Sequence, residues 1–206
     1  IEDYVAGLKD MPALTMWYLY DEPITRKIST DALDKAANII RKVDPYHPIS
    51  MVFNHIRRGV KAKPYTDIVD CVWVDPYPIG SLSKDPISAV GENIAIARNI
   101  VEDKKPVWSV IQCFQWEYFR GEMTLQKDGA PTIPTKRQFR YMNYLALASN
   151  AKGLIYYWAQ ESKYHIINDA PEVWANICDM VKELNALQAF LTACPDKELF
   201  NIPKGF

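Results

Sequence analysis

Asp21 and Glu22 stand side by side at the end of the stretch Trp17-Tyr18-Leu19-Tyr20-Asp21-Glu22-Pro23. Adjacent carboxylates repel, and a strand that merely has to stop can end on Gly, Asn or Ser at less electrostatic cost. Crowding by Asp21 or Asp75, and burial against Trp17, Tyr20 or Tyr77, would push the Glu22 carboxyl upward. A carboxyl that keeps its proton near neutral pH is a general acid. Pro23 fixes the next φ and so holds Glu22 near the strand end. The competing use of Glu22 is as a helix cap or as a surface partner of Arg26. Asp75, in Asp75-Pro76-Tyr77-Pro78, is a second acid on a backbone stiffened by two prolines, and its competing use is to form a turn. Metal chemistry has little support, because His47, His55 and His165 show no HxxxH or HxH spacing. No nucleophilic Ser motif is visible, and no cofactor is implied.

Helical and strand-like periods alternate along the chain and place these acids. Leu33, Ala36, Ala37 and Ile40 fall on one face of a helix over Asp31 to Val43, behind a Ser29-Thr30 cap signal. Ile87, Val90, Ile94, Ala97 and Val101 repeat the spacing, with Asp85 as cap and Pro86 as first helical residue. Thr135 and Gln138 form a capping box ahead of a helix to about Asn150. Another helix starts near Pro171 and carries Val173, Ile177, Met180, Val181, Leu184 and Leu187, and residues 1–10 read as the tail of a fifth. Between them lie nearly continuous apolar runs, Leu14 to Tyr20, Ile49 to Phe53, Ile68 to Val74, Val107 to Phe114 and Gly153 to Trp158, as expected for strands buried on both faces.

Strand–helix alternation of this kind predicts an α/β fold with a parallel sheet. A doubly wound nucleotide-binding sheet wants a Gly-rich turn after a strand, and none is present. The strands run instead into Asp21-Glu22-Pro23, Asn54-His55, Asp75-Pro76-Tyr77-Pro78, Gln112 to Trp116 and Trp158 to Glu161. Acids, amides and rings at the carboxyl ends of parallel strands are what a (β/α)8 barrel presents at its active-site face.

On these motifs the sequence resembles the (β/α)8-barrel glycoside hydrolases of the large retaining superfamily that includes β-galactosidases and cellulases. "WYLYDEP" looks like the fourth-strand motif, "DCVWVDPYP" the sixth strand, "KPVWSVIQCF" the seventh, and "RQFRYMNYLALASNAKGLIYYW" the seventh helix with the eighth strand. The resemblance implies a partial TIM barrel of about five βα units, strands four to eight, over residues 1–200, with 201–206 a tail. It implies Glu22 as general acid/base of a hydrolase acting on a neutral carbohydrate. Asp21 stands where the family has Asn, and Gln112 where it has the nucleophilic Glu. An amide cannot form a glycosyl ester, so Asp75, Glu117 and Glu161 are the candidate second carboxylates. Asp21, Asn54, Tyr77, Gln112, Trp116, Tyr157, Trp158 and Glu161 are the expected sugar contacts. The alternative is a carbohydrate-binding or scaffolding barrel without a nucleophile. Eight units need about 100 more residues than the chain has, so the chain is expected to be a fragment whose open sheet edges favour self-association or covering by terminal segments.

Bulk properties agree with a neutral partner. The 206 residues carry a net charge of −1, which gives no long-range field for nucleic acid or anionic lipid. Six Trp and twelve Tyr exceed what core filling requires. The connection from Cys113 to Pro134, rich in aromatics, is longer than ordinary βα loops and reads as a lid. Cys71, Cys113, Cys178 and Cys194 form no CxxC pair, read as buried thiols and fix no compartment. No apolar run reaches the ~20 residues of a membrane span.

Overall fold

The structure, a computed structural model, describes residues 1–54, 56, 61–80, 85–116, 133–157, 160–161 and 164–193. Its elements are α1 (Glu2–Leu8), β1 (Trp17–Asp21), α2 (Thr30–Val43), β2 (Ile49–Phe53), α3 (Lys63–Thr66), β3 (Cys71–Val74), α4 (Ala89–Ile100), β4 (Val107–Gln112), α5 (Lys136–Ala148), β5 (Gly153–Tyr157), a short hairpin of β6 (Gln160–Glu161) and β7 (Tyr164–His165), α6 (Ile166–Asp169), α7 (Pro171–Ala186) and α8 (Gln188–Thr192). The first five strands form one parallel sheet in the order β1-β2-β3-β4-β5. Sheet neighbours are thus chain neighbours, so no crossover reverses direction. The right-handedness of such connections then puts the crossover helices on one side and leaves the other side of the sheet as an inner face.

The helix side is the core. Leu33, Ala37 and Ile40 of α2 bury the stripe that their spacing predicts. Thr135 and Gln138 satisfy each other's backbone N–H in the expected capping box of α5. Trp17 points to this side, where its indole N–H donates to the buried Asp44 at 2.9 Å. Tyr156 does the same from β5, donating to Asn143 of α5 at 2.8 Å.

Several boundaries differ from those expected. The helix placed at Pro86 starts at Ala89, because Pro86 to Ser88 close a tighter turn through the Ala89 N–H to Pro86 C=O bond at 2.9 Å. No period marked α3, a single turn between β2 and β3. The carbonyls of Thr66 and Asp67 at its end, with that of Val69, are bonded by the Lys105 ammonium at 2.8, 3.1 and 2.7 Å. Burial on both faces holds for β2 and fails for β1 and β5, which are half-exposed because they are the outer strands of the sheet. Cys71 and Cys113 are buried thiols outside any disulfide and Cys178 is half-buried, whereas Cys194 and the expected tail lie outside the described residues. Among the described residues no helix is long and apolar enough to cross a membrane.

Candidate active site

The inner face of the sheet carries a row of rings. Tyr18 of β1 stacks on Trp73 of β3, with centroids 5.0 Å apart and planes at 13°, and Trp73 stacks on Trp108 of β4 at 6.0 Å and 11°. Alternation puts only Ser50 and Val52 of β2 on this face, and their small side chains let Tyr18 and Trp73 meet across that strand. The row ends over Gly153, where a Cβ would come within 2.3 Å of the Trp108 ring.

A bulge in β1 turns this row toward the acids. The register of β1 on β2 shifts between Tyr18 and Tyr20, so that Tyr18 and Asp21, three residues apart, share the inner face. The Tyr18 hydroxyl donates to Asp21 Oδ1 at 2.8 Å, and Arg26 donates to Asp21 Oδ2 at 2.8 Å. Asp21, not Glu22, is therefore the partner of Arg26. Glu22 comes next in a left-handed backbone conformation, φ 48°, with its N–H on the Val52 carbonyl at 3.2 Å. For a non-glycine residue that is a strained position, held here by the bulge, the β2 contact and Pro23.

The Glu22 carboxyl hydrogen-bonds to Asp75, from the end of β3, and to Asn54, from the end of β2. Asn54 in turn accepts from the Thr25 hydroxyl at 2.5 Å, which orients its amide. Burial drives the Asp75 carboxyl well above the usual carboxylate range, and the charge of Glu22 and the bond to it push the same way. Glu22 is raised by burial and by Asp21, against opposing bonds from Asp75 and Asn54. Two carboxyls in direct contact cannot both ionise easily, so the pair holds one proton between them to higher pH than either would alone. Asp75 is 6 % exposed, and its Oδ1 has no hydrogen-bond partner among the described residues.

Aromatic side chains close the far wall. Tyr77 stacks on Tyr157 at 5.8 Å and meets Phe114 and Trp116 edge-on at 5.0 and 6.2 Å. Together with Glu22, Asp75 and the Tyr18–Trp73 stack they line a cavity of about 500 Å³, within the range of small-molecule sites. Among the described residues no group of three or more His, Cys, Asp or Glu side chains could hold a metal ion.

Of the residues singled out in the sequence, Asp21, Glu22, Asn54, Asp75, Tyr77, Trp116 and Tyr157 converge here. Gln112 does not face the cavity. It has no exposed surface, and its amide is engaged by the backbone of Ile79 and Phe114, which corrects the expectation of a sugar contact. Trp17 was expected beside Glu22 and lies on the opposite side of the sheet, and the bulge turns Tyr20 away with it. Glu161 is paired through its backbone with Tyr164 in the short hairpin, and Glu117 and Trp158 lie outside the described residues. Tyr18, Trp73 and Thr25 were missed. Strict alternation from Asp21 puts Tyr18 on the wrong face, and only the crowding of four aromatic or apolar residues before the acids hinted at an irregular strand.

No protein-family model and no curated protein matches the chain. Solved structures do. The β-galactosidase of the Antarctic haloarchaeon Halorubrum lacusprofundi aligns with a TM-score of 0.57 and 19 % identity over 76 % of this chain and 25 % of its own. The endo-β-1,4-mannanase of Thermotoga petrophila aligns at 0.53 and 15 % over 90 % of this chain and 49 % of its own. A thermostable mutant of a xylanase from Cellvibrio japonicus aligns at 0.54 and 6 % over 87 % and 69 %. The chain thus spans a quarter of the length of the first of these and about half of the second. Its structural neighbours are glycoside hydrolases, and its fold is five consecutive βα units of a (β/α)8 barrel wall.

Proposed function

We propose that this chain supplies part of the cleft of a carbohydrate-active barrel that acts on a neutral sugar, with Glu22 as general acid/base. The observation that carries the reading is the hydrogen bond between Glu22 and the buried Asp75 inside an aromatic-lined cavity at the carboxyl ends of the strands. A shared proton keeps Glu22 able to donate to a leaving glycosidic oxygen at a pH where an isolated carboxyl would be empty. Asp75, the more strongly raised of the two, is the buried partner with which Glu22 exchanges that proton. Retaining and inverting hydrolysis require carboxyl separations of ~5 to 5.5 Å and ~6.5 to 9.5 Å, both longer than a hydrogen bond, so the attacking or water-activating carboxylate is assigned to Glu117 or Glu161. The only cation among the described residues that line the cavity, Arg26, is paired with Asp21, which disfavours a ligand that brings its own carboxylate.

The second reading, a carbohydrate-binding barrel without catalysis, draws on Gln112, an amide where the resemblance expects a nucleophile. The full-length protein assayed on aryl β-galactoside, β-mannoside, β-xyloside and β-glucuronide separates the two. Turnover of a neutral glycoside, lost by roughly 10²- to 10⁴-fold in Glu22→Gln with sugar binding retained, is the expected result. Saturable binding without turnover favours the binding barrel, and undiminished turnover in Glu22→Gln removes Glu22 from the chemistry.

A further inference from the structure

Gln112 ends β4 with its side chain fully buried, and every polar group of its amide meets main chain. Its Oε1 accepts from the Ile79 N–H at 3.0 Å, and its Nε2 donates to the carbonyls of Ile79 at 2.8 Å and Phe114 at 3.1 Å. Both main-chain groups of Ile79 are thus satisfied by one side chain. Ile79 closes the stretch Asp75-Pro76-Tyr77-Pro78-Ile79, whose two prolines fix φ and bring no N–H of their own. β3 anchors the start of this stretch at Val74, and Gly80, at φ 70°, turns the chain away just after its end. Between the two anchors sit Asp75, which bonds Glu22, and Tyr77, which packs edge-on against Phe114. The third bond of Gln112 goes to the carbonyl of that same Phe114.

We propose that Gln112 is a positioning residue: by latching the far end of the 75–79 stretch it holds Asp75 against Glu22 and Tyr77 in the cavity wall, and position 112 makes and breaks no bonds to substrate. The effect on turnover rests on the reading of Glu22 and Asp75 as the working carboxyls, whereas the latch itself does not. A carboxylate at 112 would keep the bond from the Ile79 N–H and face two carbonyl oxygens with no proton to give, so the family's residue type would break the latch here without creating a nucleophile.

The test is an infrared titration of the full-length protein that tracks the protonated-carboxyl band, assigned by its loss in Asp75→Asn. Gln112→Met preserves length and removes all three bonds. It is expected to move the midpoint of that band down by about one pH unit, a tenfold weaker hold on the proton. A fall in melting temperature with an unmoved midpoint would mean that Gln112 only fills space and would overturn the proposal. Gln112→Glu is expected to add no glycosidase activity, and a gain of turnover with a burst of covalent glycosyl-enzyme would equally overturn it. Should Gln112→Met fail to fold, hydrogen exchange in the unsubstituted protein decides. The Ile79 N–H is expected to exchange as slowly as the Val110 N–H inside β4, and exchange at the rate of an open loop would sink the latch. Absence of all turnover in the unsubstituted protein would count against the functional reading alone, since neither infrared nor exchange depends on it.

Discussion

Tyr18 donates its hydroxyl to Asp21 across a step of three residues that a regular strand would split between opposite faces of the sheet. One bulged residue thereby couples the aromatic floor of the cavity to its acidic rim. Asp21 is held from two sides, by Tyr18 and by Arg26, and the neighbouring Glu22 is left to Asp75 and Asn54.

Removing that hydroxyl tests the coupling. Tyr18→Phe keeps the ring on Trp73 and deletes the bond to Asp21. It is expected to lower unfolding stability by about 0.5–1.5 kcal/mol in chemical denaturation. No change would mean that the Arg26 pair alone fixes Asp21.

The carboxyl pair should leave a signature in the pH dependence of stability. Asp75 and Glu22 are both raised in the folded chain, so the native state binds more protons than the unfolded state above the ordinary carboxylate range near ~4. Their contribution is complete below that range and declines as the pH rises through the folded pair's titration. Asp75→Asn is expected to flatten this decline in unfolding free energies measured from pH about 4 upward, and an unaltered slope would show that the two groups share no proton.

At the other ends of the strands the sign reverses. Burial pushes the Asp44 carboxyl up, but bonds from the Trp17 indole, the His47 ring and the Tyr46 and His47 N–H groups outweigh it and bring it down to about 2. Its contribution is therefore present above ~4 and is lost as the pH falls through about 2. Acid unfolding monitored by circular dichroism should lose this component in Asp44→Asn, with the variant already less stable at neutral pH.

Gly153 is required by the ring above it. A Cβ there would lie 2.3 to 2.8 Å from three atoms of Trp108, so Gly153→Ala is expected to cost about 1–3 kcal/mol of overpacking. Trp108→Leu in the same chain should recover part of the loss, and a double-mutant cycle measures how much.

The fold was readable because its signals are periodic. The helical stripes of α2 and α5, the capping box at Thr135 and the apolar run of β2 stand in the sequence and in the structure at nearly the same residues. Polar residues at successive strand ends pointed to one face, and Glu22, Asp75 and Tyr77 do meet there. The hidden part depends on register and on unmarked side-chain partners. A single-residue bulge reverses the side on which Tyr18 falls, and nothing local announces it. Gln112 looked like a strand-end ligand because sequence shows its position and not the Ile79 backbone that saturates it. The start of α4 slipped by three residues because Pro86 suits the first position of a tight turn as well as that of a helix.

The near-parallel indoles of Trp73 and Trp108, 6.0 Å apart, give the cavity an optical reporter. At that spacing excitation passes readily between the two rings, so a ligand that reaches Trp73 perturbs the emission of both. Trp17, held on Asp44 across the sheet, stays outside the perturbation and serves as an internal reference. Occupancy of the site can therefore be tracked in unlabelled protein by fluorescence; Trp116 also lines the cavity, so Trp73→Phe removes the part of the signal that the Trp73–Trp108 pair carries.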